Sequence, residues 1–305
     1  MIKNSLSHTI KRNTILLLCA SLFSACQNGF ELSSNDMLSS FEEWSSISNT
    51  PLPDCSEDMF PPVLPSVEEN PDVWNTENID VSYIDPTKKL ISFTFDDSPS
   101  KTLENIFAVF ASFNETHPEN KATATVFFNS YLFDSSTLHL LQTACALGFE
   151  LGNHTHSHQD LTALDEFVLK EEIDKTDTAL KKADGKERHL LRAPYGKTNE
   201  FVTQRVPSPL LSWSIYTLDW TKRCADDIYN EVYFNRFDGA IVLMHDGYDN
   251  TIEALKRLLP DLTADGYQIV SVSALAKAHD VLLKKGNVYV RARKSKNKPT
   301  VYALK

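Results

Sequence analysis

Apolar and polar positions alternate in a repeating way along residues 90–283. Short apolar runs rich in β-branched and aromatic residues predict strands, and segments with apolar residues on one helical face predict helices between or after them. The predicted strands are residues 90–95, 122–129, 149–152, 190–193, 210–218, 240–244 and 267–272. The predicted helices are residues 103–113, 138–147, 164–182, 226–235, 251–262 and 272–283. This alternation predicts an α/β fold, a small parallel barrel with helices outside.

The first residues follow the pattern of an export signal. A basic start precedes an apolar run over residues 15–25, which is shorter than the about 20 residues of a membrane-spanning helix. Small residues directly before Cys26 resemble a bacterial lipoprotein cleavage site. We predict a lipoprotein signal over residues 1–25 and a lipid anchor on Cys26, at the cell membrane or envelope. An ordinary signal cut nearby, or a short uncleaved anchor, is the alternative.

Composition separates three further regions. Residues 26–86 are rich in Ser, Asn and Pro and contain acidic residues but no Lys or Arg, which predicts a solvated acidic tether. Residues 87–283 form the predicted domain. Residues 284–305 carry basic charges only, and either a solvated hairpin or attraction to an anionic envelope polymer would account for this tail. The net charge of −11 argues against a nucleic-acid partner.

Polar side chains interrupt the apolar pattern where predicted strands end. The five clusters are residues 96–97, 152–158, 192–195, 219–220 and 245–246. The carboxyl ends of parallel barrel strands meet at one end of the barrel. We therefore expect the five clusters to converge on one rim.

Three of these side chains suit a metal ion. His154 and His158 are four residues apart, and Asp97 adds a carboxylate. Three protein ligands of this kind leave an open position, as a catalytic zinc site requires, although Co²⁺ or Mn²⁺ would also be tolerated. His156 lies between the two ligands and is expected to point away from the metal.

The remaining polar residues suit acid–base chemistry. Asp96 adjoins Asp97 but points another way along the strand, so it can face a water at the metal while Arg192 keeps it ionised. His245 can act as a general acid whose ring is held by Asp219. Trp220 and Leu243 would form an apolar wall beside this site, although core packing is the more common role of either residue type alone.

The ordered set of clusters resembles the five motifs of the NodB-homology polysaccharide deacetylases, carbohydrate esterase family 4. The matching segments are Thr94-Phe95-Asp96-Asp97, Glu150-Leu151-Gly152-Asn153-His154-Thr155-His156-Ser157-His158, Arg192-Ala193-Pro194-Tyr195-Gly196, Asp219-Trp220 and Leu243-Met244-His245-Asp246. Two departures are Ser98, where the family usually has Gly, and Ala193, where Pro is frequent. The resemblance implies a deformed seven-unit β/α barrel.

The resemblance also implies a chemistry. Acetate would be released from an acetylated glycan by a metal-activated water, with Asp96 as base, Arg192 as its partner and His245 as acid. The backbone N–H of Tyr195 would bind the oxyanion. Peptidoglycan, chitin-type oligomers, xylan and exopolysaccharide all remain open as substrates. The alternatives are a non-sugar amide substrate on the same metal scaffold, or a non-catalytic surface protein that binds carbohydrate.

Overall fold

The computed structural model describes residues 72–221 and 223–293. The predicted signal, Cys26, most of the predicted tether and the tail from residue 294 lie outside the described residues. Within the two described ranges, no helix is both long enough and apolar enough to cross a membrane.

Strands and helices alternate along the described chain. The strands are β1 (Lys89–Ser98), β2 (Thr125–Phe128), β3 (Glu150–Asn153), β4 (Leu210–Leu211), β5 (Ile215–Tyr216), β6 (Ala240–His245), β7 (Tyr267–Ile269) and β8 (Val288–Tyr289). The helices are α1 (Leu103–Thr116), α2 (Thr137–Ala146), α3 (Glu166–Asp184), α4 (Glu200–Arg205), α5 (Ala225–Asn235), α6 (Asp249–Ala264) and α7 (Val272–Ala278).

β1 forms the centre of the sheet because it is buried on both faces. Residues 90–96 are all buried, which is typical of a central parallel strand. β1 pairs in parallel with β2 and β6, and its first residues pair with β7. β3 extends the sheet beyond β2, and β5 extends it beyond β6.

The segment that contains β4 and β5 closes the sheet into a barrel. Leu191 forms parallel bridges to Asn153 at the end of β3 and to Leu210 in β4. A few residues later, β5 pairs with β6, so this segment joins the two edges of the sheet. The predicted deformed β/α barrel of the α/β class is confirmed.

The predicted strand over residues 210–218 is divided into β4 and β5, and Arg192 explains the division. The guanidinium donates from Nε to the Leu211 carbonyl at 3.4 Å and from Nη2 to the Ser212 carbonyl at 3.2 Å. A buried cation therefore takes acceptors that a neighbouring strand would otherwise use. The predicted strand at residues 190–193 is likewise reduced to the bridge at Leu191.

The domain extends beyond its predicted boundary at residue 87. Trp74, Val81 and Tyr83 pack against an apolar cluster that includes residues of β1 and α7. The Trp74 amide donates to the Leu283 carbonyl at 2.8 Å, and its indole donates to the Ser273 hydroxyl at 3.2 Å. Residues 72–86 thus belong to the domain. Their acidic composition led to their assignment to the tether, although a few spaced aromatic residues are enough to anchor such a segment on the domain.

The domain also extends beyond its predicted C-terminal boundary at residue 283. β8 lies parallel to β4, and Tyr289 is only 2% exposed. Arg291 forms an antiparallel bridge to Ala240 at the start of β6. The first part of the basic tail is therefore a core strand, and the expectation of a solvated hairpin is wrong for residues 284–293.

Candidate active site

The five predicted clusters converge at the carboxyl end of the barrel, as the sequence predicts. Asp96 and His245 occupy paired positions at the ends of the neighbouring strands β1 and β6. His154 follows β3, and Arg192 follows the bridge at Leu191. Asp219 begins a 3₁₀ turn after β5.

Asp97, His154 and His158 form a cluster that fits a divalent metal ion, which we call the metal cluster. One ligand atom from each lies within 4.8 Å of the others. The Asp97 Oδ1 atom is 3.5 Å from Nε2 of His154 and 3.2 Å from Nε2 of His158. His154 uses its other nitrogen, Nδ1, in a 2.8 Å hydrogen bond with the Arg192 carbonyl. That bond makes Nδ1 the protonated nitrogen and leaves Nε2 free as a ligand.

Burial favours the neutral form of His158, one of the two imidazoles of the metal cluster. Burial and the nearby ring of His154 lower the pKa of His158, despite the opposing effect of Asp97. A neutral imidazole is the form that binds a metal ion. The donor set of two imidazole nitrogens and one carboxylate oxygen therefore fits a first-row divalent ion.

The backbone at this rim adopts strained conformations at residues other than glycine. The left-handed φ angles are 63° at Asp97, 70° at Thr155, 57° at His158, 61° at Tyr195 and 55° at Leu218. L-residues rarely adopt such angles, and each costs of order 1–3 kcal/mol. The surrounding structure holds these turns in place, which aims the neighbouring side chains into the site.

Asp96 is held by a buried arginine. Its Oδ1 atom accepts from Nη1 of Arg192 at 2.8 Å, and the same nitrogen donates to Thr94 Oγ1 at 2.7 Å. The Arg192 side chain is fully buried and lies over the Phe127 ring at 4.3 Å. Oδ2 of Asp96 faces the metal cluster, 3.6 Å from Nε2 of His154. One oxygen is therefore fixed, and the other is directed at the site.

His245 is oriented by Asp219. The ring Nδ1 atom is 2.8 Å from Oδ1 of Asp219, whose other oxygen accepts from the His245 backbone N–H and from the Thr251 hydroxyl. Burial by itself lowers the pKa of His245, but the Asp219 hydrogen bond and the charges of Asp96 and Asp97 outweigh it and raise the pKa. Asp219 therefore occupies Nδ1 and leaves Nε2 as the ring nitrogen available to the site.

The comparisons with known proteins agree with this arrangement. A family model described as polysaccharide deacetylase matches residues 83–208. A peptidoglycan-N-acetylglucosamine deacetylase of Bacillus cereus is 30% identical over 207 residues, which cover 62% of this chain and 89% of that protein. The chain belongs to the polysaccharide deacetylase family. The proposed resemblance is thereby confirmed, and members of this family depend on a divalent metal.

Solved structures of the polysaccharide deacetylase family share the fold. The Xyl-CE4 domain of a multidomain xylanase from the hindgut metagenome of Trinervitermes trinervoides is 27% identical, with a TM-score of 0.62. The match covers 67% of this chain and 98% of that domain. A bifunctional xylanase/deacetylase of Pseudobutyrivibrio xylanivorans is 31% identical over 191 residues, which are 30% of its length. The chain thus spans about a third of the length of the first curated relatives it matches.

The departure from the deacetylase family pattern at Ser98 has a structural explanation. Ser98 is fully buried, and its hydroxyl donates to Oδ2 of Asp246 at 3.2 Å. Asp246 also accepts from the Ser100 amide at 2.6 Å and from the Thr102 hydroxyl at 3.0 Å. The Ser98 hydroxyl therefore helps tie the end of β6 to the loop after β1. Sequence reasoning assigned no role to Asp246, although it lies inside a predicted cluster.

The remaining predicted site residues of this deacetylase family member differ in their exposure and contacts. Tyr195 is 64% exposed, and its ring lies 4.8 Å from that of His158. Trp220 is exposed and donates from Nε1 to the Tyr216 hydroxyl at 2.7 Å. Leu243 is buried two positions before His245 in β6, so it lies at the floor beneath the acid. His156 is hydrogen-bonded to Ser130 and stays outside the metal cluster, as predicted.

Proposed function

We propose that this protein hydrolyses acetyl groups from an N-acetylated polysaccharide with the help of a divalent metal, for which Zn²⁺ fits the ligands best. The observation that carries the proposal is the convergence of three devices on one rim. They are a three-ligand metal cluster, a carboxylate fixed by a buried arginine, and an imidazole oriented by a buried carboxylate. Binding a glycan alone would need neither base nor acid.

Each residue has one task in the proposed reaction. When held by Asp97, His154 and His158, a divalent ion supplies Lewis acidity that polarises the acetyl carbonyl and favours ionisation of the attacking water. Asp96 accepts the proton of that water at Oδ2, because Arg192 holds Oδ1.

The later steps use the other side of the rim. The backbone N–H of Tyr195 donates to the oxyanion as the carbonyl becomes tetrahedral. His245 then donates the proton on Nε2 to the departing nitrogen or oxygen, because Asp219 holds Nδ1. Acetate and a deacetylated sugar unit are the products.

The names of similar proteins favour an amide over an ester as the bond that is attacked. The similar proteins from Bacillus cereus and Listeria monocytogenes are named peptidoglycan-N-acetylglucosamine deacetylases, which supports N-acetylhexosamine as the unit attacked. The similar xylanase/deacetylase makes O-acetyl xylan the second candidate.

An acetate-release screen tests this proposal. Peptidoglycan, N-acetylglucosamine oligomers, acetylated xylan and an acetylated exopolysaccharide are compared with and without a chelator. We expect chelator-sensitive release that is greatest from the N-acetylated glycans. Asp96→Asn should abolish release, whereas Asp227→Asn, a matched charge change at an exposed position on α5, should not. Release from O-acetyl substrates only would assign the second candidate, and no release from any of them would refute the function.

We further propose that the protein is exported and anchored by a lipid on Cys26. Small residues directly before this cysteine and the short apolar run support the anchor. Cys26→Ser should abolish lipid labelling and leave an uncleaved precursor. Unchanged processing and membrane partitioning would instead support an ordinary signal or an uncleaved anchor.

A further inference from the structure

The helix α3 packs polar side chains against the segment that carries two metal ligands, and we call that segment, residues 154–158, the ligand turn. Six side chains of α3 are buried, and three of them are polar: Glu172, Thr176 and Asp177. Carboxylates are rarely buried in proteins unless they are paired or hydrogen-bonded. None of the reaction steps proposed above uses these three side chains.

Glu172 is bonded to the ligand turn through both its side chain and its backbone. Its Oε2 atom accepts from the Ser157 backbone N–H at 2.7 Å, and Oε1 accepts from the Ser157 hydroxyl at 2.6 Å. The Glu172 carbonyl accepts from the His156 backbone N–H at 2.8 Å. Hydrogen bonds to a carboxylate are shorter and stronger than those between neutral groups. Three bonds therefore join one residue of α3, which is only 5% exposed, to two consecutive residues of the turn.

The two buried carboxylates of α3 support opposite ends of the ligand turn. Asp177 accepts from Nδ2 of Asn153 at 2.9 Å, and Asn153 directly precedes His154. Glu172 instead bonds the residue that directly precedes His158. Each imidazole ligand of the metal cluster thus follows a residue that α3 holds in place.

His158 depends on such support more than His154 does. His154 directly follows β3, and its ring is fixed by the bond between Nδ1 and the Arg192 carbonyl. His158 lies in neither a helix nor a strand, and its backbone has a left-handed φ angle of 57°. Such a conformation persists only where the surrounding structure holds it. The Glu172 carboxylate holds the backbone from which the His158 imidazole extends.

We propose that Glu172 is a positioning residue that keeps the ligand turn in its metal-binding conformation before the ion arrives. The proposal rests on the metal cluster of the function proposed above and gives α3 a part in setting metal affinity. Without the Glu172 carboxylate, the turn would adopt several conformations, and metal binding would have to select one of them at a cost in free energy. Loss of a group that orients metal ligands typically weakens metal binding about 10- to 100-fold.

The dissociation constant for Zn²⁺ tests the proposal, measured by competition with a chromophoric chelator in the absence of any glycan. Glu172→Ala should raise this constant about 10- to 100-fold. Glu171→Ala is the matched control, because it removes the same charge at the adjacent, partly exposed position, where Glu171 pairs with Lys175 at 3.3 Å. The control should keep the constant of the unmodified protein. Glu172→Gln retains one acceptor oxygen for Ser157 and should lie between the two.

Two further measurements separate positioning from general damage. Saturating Zn²⁺ should restore most of the acetate release of Glu172→Ala, because its metal ligands, base and acid are unchanged. Denaturant unfolding of the metal-free proteins shows whether each variant is folded. If Glu172→Ala does not fold, Glu172→Gln is compared with Glu171→Gln, and we expect at least about threefold weaker Zn²⁺ binding in the former.

The outcomes distinguish this proposal from the proposed function. Equal Zn²⁺ affinity in folded Glu172→Ala and Glu171→Ala, or in the two Gln variants, would overturn the role of Glu172 and leave the function standing. An equal loss of affinity in both Ala variants would show an effect of charge alone and would also overturn it. Failure of the unmodified protein to bind Zn²⁺ would overturn both proposals.

Discussion

Two clusters of histidine and aspartate in this molecule have similar composition and different properties. One is the metal cluster of Asp97, His154 and His158 at the rim. The other, which we call the Asp177 cluster, joins His189 to Asp177 and Asp184 at the C-terminal part of α3.

Both ring nitrogens of His189 are already hydrogen-bonded to carboxylates, Nδ1 to Asp177 at 2.9 Å and Nε2 to Asp184 at 3.2 Å. In the metal cluster, by contrast, Nε2 of His154 is free to bind an ion, because only Nδ1 is committed. The pKa values of His158, the other imidazole of the metal cluster, and of His189 are also shifted in opposite directions. Burial lowers the pKa of His158, whereas at His189 the two carboxylates outweigh burial and raise it. Residue types alone therefore do not identify a metal site; the ring nitrogens must also be available and the ligand atoms close together.

The two clusters are also connected. Asn153 directly precedes His154, and its Nδ2 atom donates to Oδ1 of Asp177 at 2.9 Å. Oδ1 of Asn153 accepts from the Thr155 amide at 2.8 Å, which supports the strained turn that carries the metal ligands. The Asp177 cluster thus stabilises the backbone that carries the metal cluster.

The largest expected effect comes from removing a metal ligand. His154→Ala should lose the ion and reduce acetate release at least about 1,000-fold, since the ion supplies several kcal/mol of transition-state stabilisation. His156→Ala is the matched control and should keep both, because His156 is bonded to Ser130 outside the cluster. Metal analysis and initial rates provide the check. Stoichiometric metal in a variant that lacks both His154 and His158 would remove this site from consideration.

Breaking the Asp177 cluster should lower the free energy of unfolding far more than it lowers the metal content. Asp177→Ala leaves the buried His189 and the guanidinium of Arg188 without a shared carboxylate, which should lower the free energy of unfolding by about 3 kcal/mol. Asp174→Ala removes a half-exposed partner of Arg188 and should cost less than about 1 kcal/mol. Denaturant unfolding measures both. If folded Asp177→Ala lost metal without losing stability, the Asp177 cluster would contribute to metal binding rather than to stability.

The pair of His245 and Asp219 lies between these extremes, with one ring nitrogen bonded and one free. Asp219→Asn should lower the pKa of His245, since the hydrogen bond to Asp219 is the strongest influence that raises it. An acid must be protonated, so activity falls as pH rises through this pKa, and the alkaline limb of kcat/KM should move to lower pH. The rate at the optimum should fall at least about tenfold. An unmoved limb with intact metal content would remove His245 from the role of acid.

The smallest expected effect is the pH dependence of stability that comes from His189. Its raised pKa means that the folded state holds the proton more tightly than the unfolded chain, whose histidine titrates near about 6.5. This stabilisation is complete below that value and is lost as pH rises through the pKa of folded His189. His189→Gln should therefore be less stable than the unmodified protein at low pH and approach it at high pH. A difference in unfolding free energy that is independent of pH would show that folding leaves the pKa of His189 unchanged, which would contradict a raised pKa.

The sequence predicted the position of the metal cluster because its polar residues follow apolar strands, whose ends meet at one rim. The Asp177 cluster was missed because α3 and the chain near Leu190 each look ordinary alone, and only their packing buries the charges. The strained turns were missed for a different reason. Asp97, Thr155 and Tyr195 adopt conformations that glycine usually signals, and none of them is glycine. The docking of Trp74 and the strand β8 depend on contacts distant in sequence, which local pattern does not report.

The most direct test of the proposed mechanism compares the adjacent aspartates at the end of β1. Asp96→Asn and Asp97→Asn change the same charge at neighbouring positions. Asp96→Asn should keep the metal and lose activity by about 10²–10⁴-fold, with no rescue by added metal, because it removes the base. Asp97→Asn should lose both metal and activity, with partial rescue by excess metal. Metal lost from Asp96→Asn and kept by Asp97→Asn would reverse the assignment, and full activity in both would contradict the mechanism.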